Sequence, residues 1–160
     1  MTISVGDQIP SATLYRMTAE GPKEISTEEI FSGKKVVLFA VPGAFTPGCS
    51  QTHLPGFVAS ADKIKAKGVD TIACVSVNDA FVMGAWGDNQ NASELLMLGD
   101  GNADFTTALG LDLDARGFGL GTRSKRYSMV VEDGRVTHLN VEPDGAGIAV
   151  STAEKILEQL

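Results

Sequence analysis

An α/β fold built on a central mixed β-sheet flanked by helices is what the sequence predicts, and three observations predict it. Apolar runs rich in β-branched residues recur at Val36–Val41, Thr71–Val77, Tyr127–Val131 and Val136–Leu139, each of strand length. The first two are separated by Cys49–Lys67, in which Phe57, Ala61 and Ile64 fall on roughly one helical face; a strand, a helix and a strand in that order make parallel neighbours. The last two are joined by Glu132-Asp133-Gly134-Arg135, a hairpin signal that makes its strands antiparallel.

Taken in chain order, Val36–Val41 is the first strand, and Cys49 follows it where a strand hands over to a helix. Pro55 is expected to kink that helix or interrupt its first turns. After the strand Thr71–Val77, Asn78-Asp79 caps a helix running through Val82 to Trp86. Leu95–Leu98 reads as a short strand and Ala103–Leu109 as a short helix. Asp114–Thr122 holds three glycines beside Phe118 and Leu120 and reads as a loop. The hairpin follows, and then a terminal helix over Ser151–Leu160, where Ser151 with Glu154 three residues on has the form of a capping box. A β-α-β unit, a hairpin and a last helix are the order of a thioredoxin-like mixed sheet. No internal repeat, low-complexity block or linker divides the 160 residues, so one domain over residues 1–160 is expected.

Composition narrows the classes of function. Thirteen Lys and Arg against twenty Asp and Glu give a net charge of −7, which disfavours nucleic-acid binding because no basic patch stands against that background. No apolar run approaches the roughly 20 residues that span a bilayer, and Met1–Asp7 has neither the basic end nor the apolar stretch of a secretory leader. A membrane partner is therefore not expected. The two cysteines, Cys49 and Cys74, and the two histidines, His53 and His138, fall short of a disulfide framework or a four-ligand metal site. A reduced, cytoplasmic chain without metal or other cofactor is expected, and without a C-x-x-C there is no motif for dithiol reductase chemistry.

The densest chemistry lies in Val41-Pro42-Gly43-Ala44-Phe45-Thr46-Pro47-Gly48-Cys49-Ser50. The first turn of a helix offers unpaired N–H groups and partial positive charge, which favour a thiolate over a thiol. Cys49 is thus a candidate nucleophile, and Thr46, three residues earlier, can place a hydroxyl beside the sulfur. His53, one helical turn on, either faces the sulfur or packs beneath the loop. Cys74 lies mid-strand, where a buried structural thiol is the simplest reading.

The run Pro42 to Ser50, with its P-x-x-x-T-x-x-C pattern, resembles the active-site loop of the peroxiredoxins, type II (type five) subgroup. Ser50–Phe57, Ser76–Trp86, Arg123–Val131 and Asn140–Gly145 resemble that subgroup in the same order, so the resemblance covers essentially the whole chain. It implies a thioredoxin-like fold and a thiol peroxidase that reduces hydrogen peroxide and alkyl hydroperoxides, cycling through a sulfenic acid on Cys49. It implies catalytic roles for Cys49, Thr46, Arg126 and Pro42, with Gly48 and Phe45 in the substrate site and Trp86 at its mouth. It also implies a homodimer, to which Phe45, the Phe81–Trp86 segment and the Asp114–Thr122 loop contribute, and an external thiol reductant, either glutaredoxin with glutathione or a thioredoxin.

The late cysteine that resolves the sulfenate in some type II relatives is replaced here by Ile148-Ala149-Val150-Ser151. Cys74 matches the second cysteine of other members and is the possible resolving residue. The alternative from another class is a thioredoxin-fold binding or chaperone module whose Cys49 is structural or regulatory.

Overall fold

In the computed structural model, which describes residues 2–160, the first elements are a hairpin and a helix that the sequence reading passed over. Strands β1 (Thr13–Thr18) and β2 (Gly21–Ser26) pair antiparallel. Helix α1 (Thr27–Phe31) begins on a true capping box, the Ser26 hydroxyl accepting from Glu29 N–H while the Glu29 carboxylate accepts from Ser26 N–H. Strand β3 (Lys35–Ala40) leads to a π-helical turn, Cys49–His53, continuous with α2 (Leu54–Ala66). There follow β4 (Thr71–Ser76), α3 (Ala80–Asn89), β5 (Leu96–Gly99), α4 (Asp104–Leu109), β6 (Asp112–Asp114) and β7 (Thr122–Ser124). Strands β8 (Tyr127–Glu132) and β9 (Arg135–Val141) and helix α5 (Ala153–Gln159) complete the chain.

Seven strands form one sheet in the order β2-β1-β5-β4-β3-β8-β9, and β6 and β7 form a separate two-stranded ribbon. The three central strands β5, β4 and β3 run parallel, while β8 and β9 are antiparallel additions beside β3. This is the thioredoxin-like mixed sheet. Side chains alternate along β3, so Val36, Leu38 and Ala40 enter one core with α1 and α4, and Val37 and Phe39 enter the other with α2, α3 and α5. Cys49 and Cys74 both belong to the second core.

One local expectation is narrowed and another is corrected. Of the two effects expected of Pro55, interruption of the first turns is the one seen: the π turn Cys49–His53 stands just before it at the start of α2. Leu54 N–H there reaches back five residues to Cys49 O, widening the turn where a proline ring would clash with the carbonyl four residues earlier. The last helix is capped by Thr152, whose hydroxyl accepts from Lys155 N–H at 3.2 Å, rather than by Ser151. The Ser151 hydroxyl instead donates to the Glu142 carboxylate at 2.6 Å, a charge-assisted bond stronger than a neutral cap.

The end of β5 packs against the start of α3 closely enough to demand glycine. A Cβ on Gly99 would stand 2.9 Å from Ala80 N, Asn78 O and the Asp79 carbonyl carbon, all backbone. Gly56, inside α2, has open space at that position. Gly99→Ala is therefore expected to lose about 1–3 kcal/mol of stability by overpacking, whereas Gly56→Ala gains up to about 1 kcal/mol through helix propensity. Urea unfolding of the two variants measures both; a neutral Gly99→Ala would contradict the close approach.

Candidate active site

The chain leaves the sheet after Val41, whose N–H still bonds Val75 O at 3.2 Å, and turns sharply through Gly43 to Thr46. Gly43 permits the turn because a Cβ there would meet Arg123 Nη1 at 3.0 Å and Thr46 Cγ2 at 3.1 Å. Two side chains from elsewhere fix the loop: Asn78 Oδ1 accepts from Ala44 N–H at 3.0 Å, and Arg123 Nη1 donates to Pro42 O at 3.4 Å. Helical geometry starts at Pro47, with Ser50 N–H bonding Thr46 O at 2.9 Å. Cys49 thus occupies the first turn, where the amides have no acceptor one turn back within the helix.

The sulfur is buried and has two polar neighbours. Thr46 Oγ1 lies 2.9 Å from Sγ and 2.7 Å from Gly43 O. A hydroxyl carries one proton, so Thr46 donates to one of these at a time and keeps lone pairs for another donor. Arg126 Nη2 donates to Sγ at 3.2 Å. The Arg126 side chain comes from the start of β8, is only 4% exposed, and takes part in none of the salt bridges among the described residues. A guanidinium stays charged in proteins, so the electrostatic partner set against it at hydrogen-bond distance is the sulfur.

Two further acceptors aim the guanidinium. Arg126 Nε donates to Ala146 O at 3.1 Å, and Nη1 lies 3.0 Å from His53 Nδ1. The other ring nitrogen, His53 Nε2, is 2.8 Å from Ser151 O. A carbonyl only accepts and a guanidinium only donates, so His53 is the neutral tautomer with its proton on Nε2. Its pKa is lowered to about 4, first by burial and then by the Arg126 charge, against the opposing pull of Ser151 O and Glu142. Phe39 and Phe57 supply that burial, stacked on each other at 3.9 Å with the imidazole edge-on at 5.1 and 5.6 Å.

The remaining residues singled out in the sequence lie at graded distances from this centre. Pro42 and Gly48 are half-buried; a Cβ on Gly48 would stand 3.5 Å from Arg126 Nη2 and 3.3 Å from Ile148 Cδ1, so glycine lets both approach. Phe45 is 52% exposed, at a φ of 65°. Trp86 is wholly buried, its indole N–H donating to Ser50 Oγ at 3.0 Å and its ring 6.5 Å from Phe45. It floors the loop rather than rimming it. The Asp114–Thr122 segment is tied back to Pro42 through Arg123, which also donates from Nε to Leu120 O at 2.9 Å. Cys74 is buried opposite Phe39 in the β3–β4 register, and burial, then the neighbouring Cys49, pushes its thiol well up.

Sequence reading missed Asn78 as a support of the loop and left His53 undecided. It also passed over Glu142, whose carboxylate is buried against the 149–151 backbone. A buried polar residue is hard to see in a sequence because its partners are brought to it only by the fold. No three His, Cys, Asp or Glu side chains among the described residues converge as a metal site.

Comparisons with known proteins agree with this geometry. Residues 4–157 match the Redoxin family. The chain is 52% identical to Peroxiredoxin-2E-2, chloroplastic, of Oryza sativa subsp. japonica over 165 residues, covering 99% of this chain and 73% of that protein. It is 45% identical to Peroxiredoxin-2D of Arabidopsis thaliana over 160 residues, covering 99% and 98%. The structure of reduced Prx3 in complex with hydrogen peroxide from Vibrio vulnificus superposes with a TM-score of 0.94 at 58% identity, covering 99% of both chains. A fold that buries a cysteine in the first turn of a helix, against a threonine and an arginine, defines a thiol peroxidase. The chain belongs to the peroxiredoxins, within their type II subgroup.

The His53 tautomer makes the site sensitive to acid. Its folded pKa is depressed, so between pH 6.5 and about 4 the unfolded chain binds a proton that the folded chain refuses, and stability falls as pH falls through that window. The full effect is roughly 3 kcal/mol. Below pH 4.5 Glu142 adds a second loss of the same sign, since burial raises its carboxyl but the bonds from Ser151, Ala149 and Val150 prevail and hold it below the usual value. Urea midpoints between pH 7 and pH 5 are expected to drop more steeply in the parent than in His53→Gln. Equal slopes would mean that His53 titrates as it does in the unfolded chain.

Proposed function

We propose that Cys49 is the peroxidatic residue of this thiol peroxidase, acting on hydrogen peroxide and small alkyl hydroperoxides. The observation that carries the assignment is the Arg126 Nη2 to Sγ contact at 3.2 Å, made by a buried guanidinium without a carboxylate partner within 4 Å among the described residues. The thiolate attacks one peroxide oxygen, the O–O bond breaks, and the departing alkoxide or hydroxide takes up a proton to leave as alcohol or water. Thr46, with lone pairs to spare, accepts from the hydroperoxide O–H and aligns it. Two N–H groups of Arg126 remain for the peroxide oxygens, and the amides of Gly48 and Cys49 add dipoles where charge develops. Pro42 and Phe45 shield the approach, and the buried sulfur favours small electrophiles.

The oxidised Cys49 sulfenic acid condenses with an external thiol, releasing water, and a second thiol frees Cys49 as a disulfide of the reductant forms. Glutaredoxin with glutathione, or a thioredoxin, supplies those thiols. Cys74 is the other candidate, but it lies on β4 between β3 and β5, and burial first of all keeps its thiol protonated and a poor nucleophile. Pairing with Cys49 would require the sheet or the π turn to open. Two free cysteines suit a reducing compartment, and we place the chain in the cytoplasm. No helix among the described residues is long and apolar enough to cross a membrane. Phe45, Phe81 and Phe118, exposed by 52%, 63% and 87%, are the apolar surface through which a second copy docks on the active-site side.

Two measurements test these assignments. Cys49→Ser is expected to abolish dithiothreitol-dependent peroxide consumption while leaving the circular dichroism spectrum unchanged; retained turnover would remove Cys49 from the mechanism. Intact-mass and peptide analysis after one equivalent of peroxide is expected to show sulfenate or mixed disulfide on Cys49, with Cys74→Ser keeping most of the activity. Rapid stoichiometric Cys49–Cys74 linkage would make Cys74 the resolving residue instead.

A further inference from the structure

Glu142 takes no part in the peroxide chemistry, yet it is 2% exposed and its carboxylate collects more donors than any other in the described chain. It accepts from Ala149 N–H at 3.0 Å, Val150 N–H at 2.9 Å, Ser151 N–H at 2.8 Å and Ser151 Oγ at 2.6 Å. The segment it gathers in is the one that surrounds Arg126. Arg126 N–H donates to Gly145 O at 2.8 Å, Arg126 O accepts from Glu142 N–H at 3.1 Å, and Arg126 Nε donates to Ala146 O at 3.1 Å. Ser151 O, at the end of the same segment, faces His53 Nε2 at 2.8 Å.

We propose that Glu142 is the positioning residue of the site: by gathering the amides of residues 149–151 it holds Ser151 O on His53 Nε2, which selects the tautomer that keeps Arg126 on the sulfur. The logic is one of donors and acceptors. With Ser151 O at Nε2, the ring proton resides there and Nδ1 offers a lone pair to Arg126 Nη1. Were Ser151 O displaced, the proton could move to Nδ1, where it would oppose a guanidinium N–H. Arg126 would then lose one of its three anchors and swing from Cys49.

The carboxylate is suited to this task because three consecutive N–H groups pointing at one anion force the backbone into a concave turn. Thr152, as the cap of α5, pins the chain on the other side of Ser151, so the carbonyl between them has little freedom. All four donors reach Oε2, and Ala149 N–H is shared with Oε1 at 3.1 Å. A glutamine with its oxygen at Oε2 would place its NH2 beside the Ala149 N–H, donor against donor, and the charge that draws four donors to one oxygen would be gone.

The proposal rests on the thiol peroxidase reading, and the test separates the two. In a full-length Cys74→Ser background, Glu142→Gln, Ser151→Ala and Arg126→Met are compared with the parent. Three readouts are used: the pH–rate profile of Cys49 alkylation by iodoacetamide, the rate of oxidation by hydrogen peroxide, and the His53 ring signals in long-range 1H–15N spectra. Arg126→Met sets the size of the complete loss. Glu142→Gln is expected to shift the alkylation profile toward higher pH, slow oxidation by about tenfold or more through misplacement of the guanidinium, and mix Nδ1–H into the Nε2–H signature of His53. Ser151→Ala is expected to do the same to a smaller extent and serves in its place if Glu142→Gln does not fold.

A parent-like profile, rate and His53 spectrum in these variants, with Arg126→Met still impaired, overturns the positioning role and leaves the peroxidase intact. An Arg126→Met variant that is itself unimpaired overturns the positioning role together with the part given to Arg126, while the Cys49→Ser assay decides the peroxidase reading separately.

Discussion

A guanidinium withdrawn from water must find acceptors for its N–H groups and a counter-charge for itself, and much of this site follows from how Arg126 meets that demand. Its three placed bonds go to a carbonyl, a neutral imidazole and a sulfur. A carboxylate in the position of His53 would satisfy the same N–H group but would also neutralise the cation and compete with the thiolate. A neutral acceptor orients the arginine without spending its charge. The positive field therefore falls on Cys49, which is where an anionic nucleophile needs it.

Keeping the imidazole neutral is in turn a matter of packing. His53 lies over the stacked rings of Phe39 and Phe57, one from β3 and one from α2, so the core that holds helix to sheet also disfavours the imidazolium. The π turn from Cys49 to His53 sets thiol and imidazole on one widened turn, where Arg126 reaches both. Beneath them Trp86 bonds Ser50 and Asn78 bonds Ala44. Elements far apart in sequence thus hold the loop in place, as a reaction between two small centres requires.

Burial also divides the labour between the two cysteines. Cys49 has a donor on each side, while Cys74 has the parallel register of Phe39 and no hydrogen-bond donor among the described residues, so desolvation prevails there over the more distant pull of the Arg126 charge. The same apolar interior thus sets polar donors against one sulfur and none against the other. On the outside, Phe45, Phe81 and Phe118 stay exposed instead of being drawn into either core.

Much of this was readable along the chain. The apolar, β-branched runs Val36–Val41 and Tyr127–Val131, the Asp133-Gly134 turn and the Asp79 cap are local signals, because strand composition, turn chemistry and capping act within a few residues. The same holds for Cys49 and Thr46, three residues apart on one loop. The hairpin Thr13–Ser26 escaped notice since Arg16, Lys23 and Glu24 break its apolar pattern at an exposed edge. What only the tertiary structure decided is the pairing of distant polar groups. Arg126 lies 77 residues from Cys49, Ser151 lies 98 from His53, and neither spacing carries a periodicity. A buried hydrogen bond between such residues depends on where the sheet and its helices place their ends, so the sequence determined the Cys49 loop and the scaffold, while the fold alone decided which neutral acceptor aims the Arg126 charge upon the sulfur.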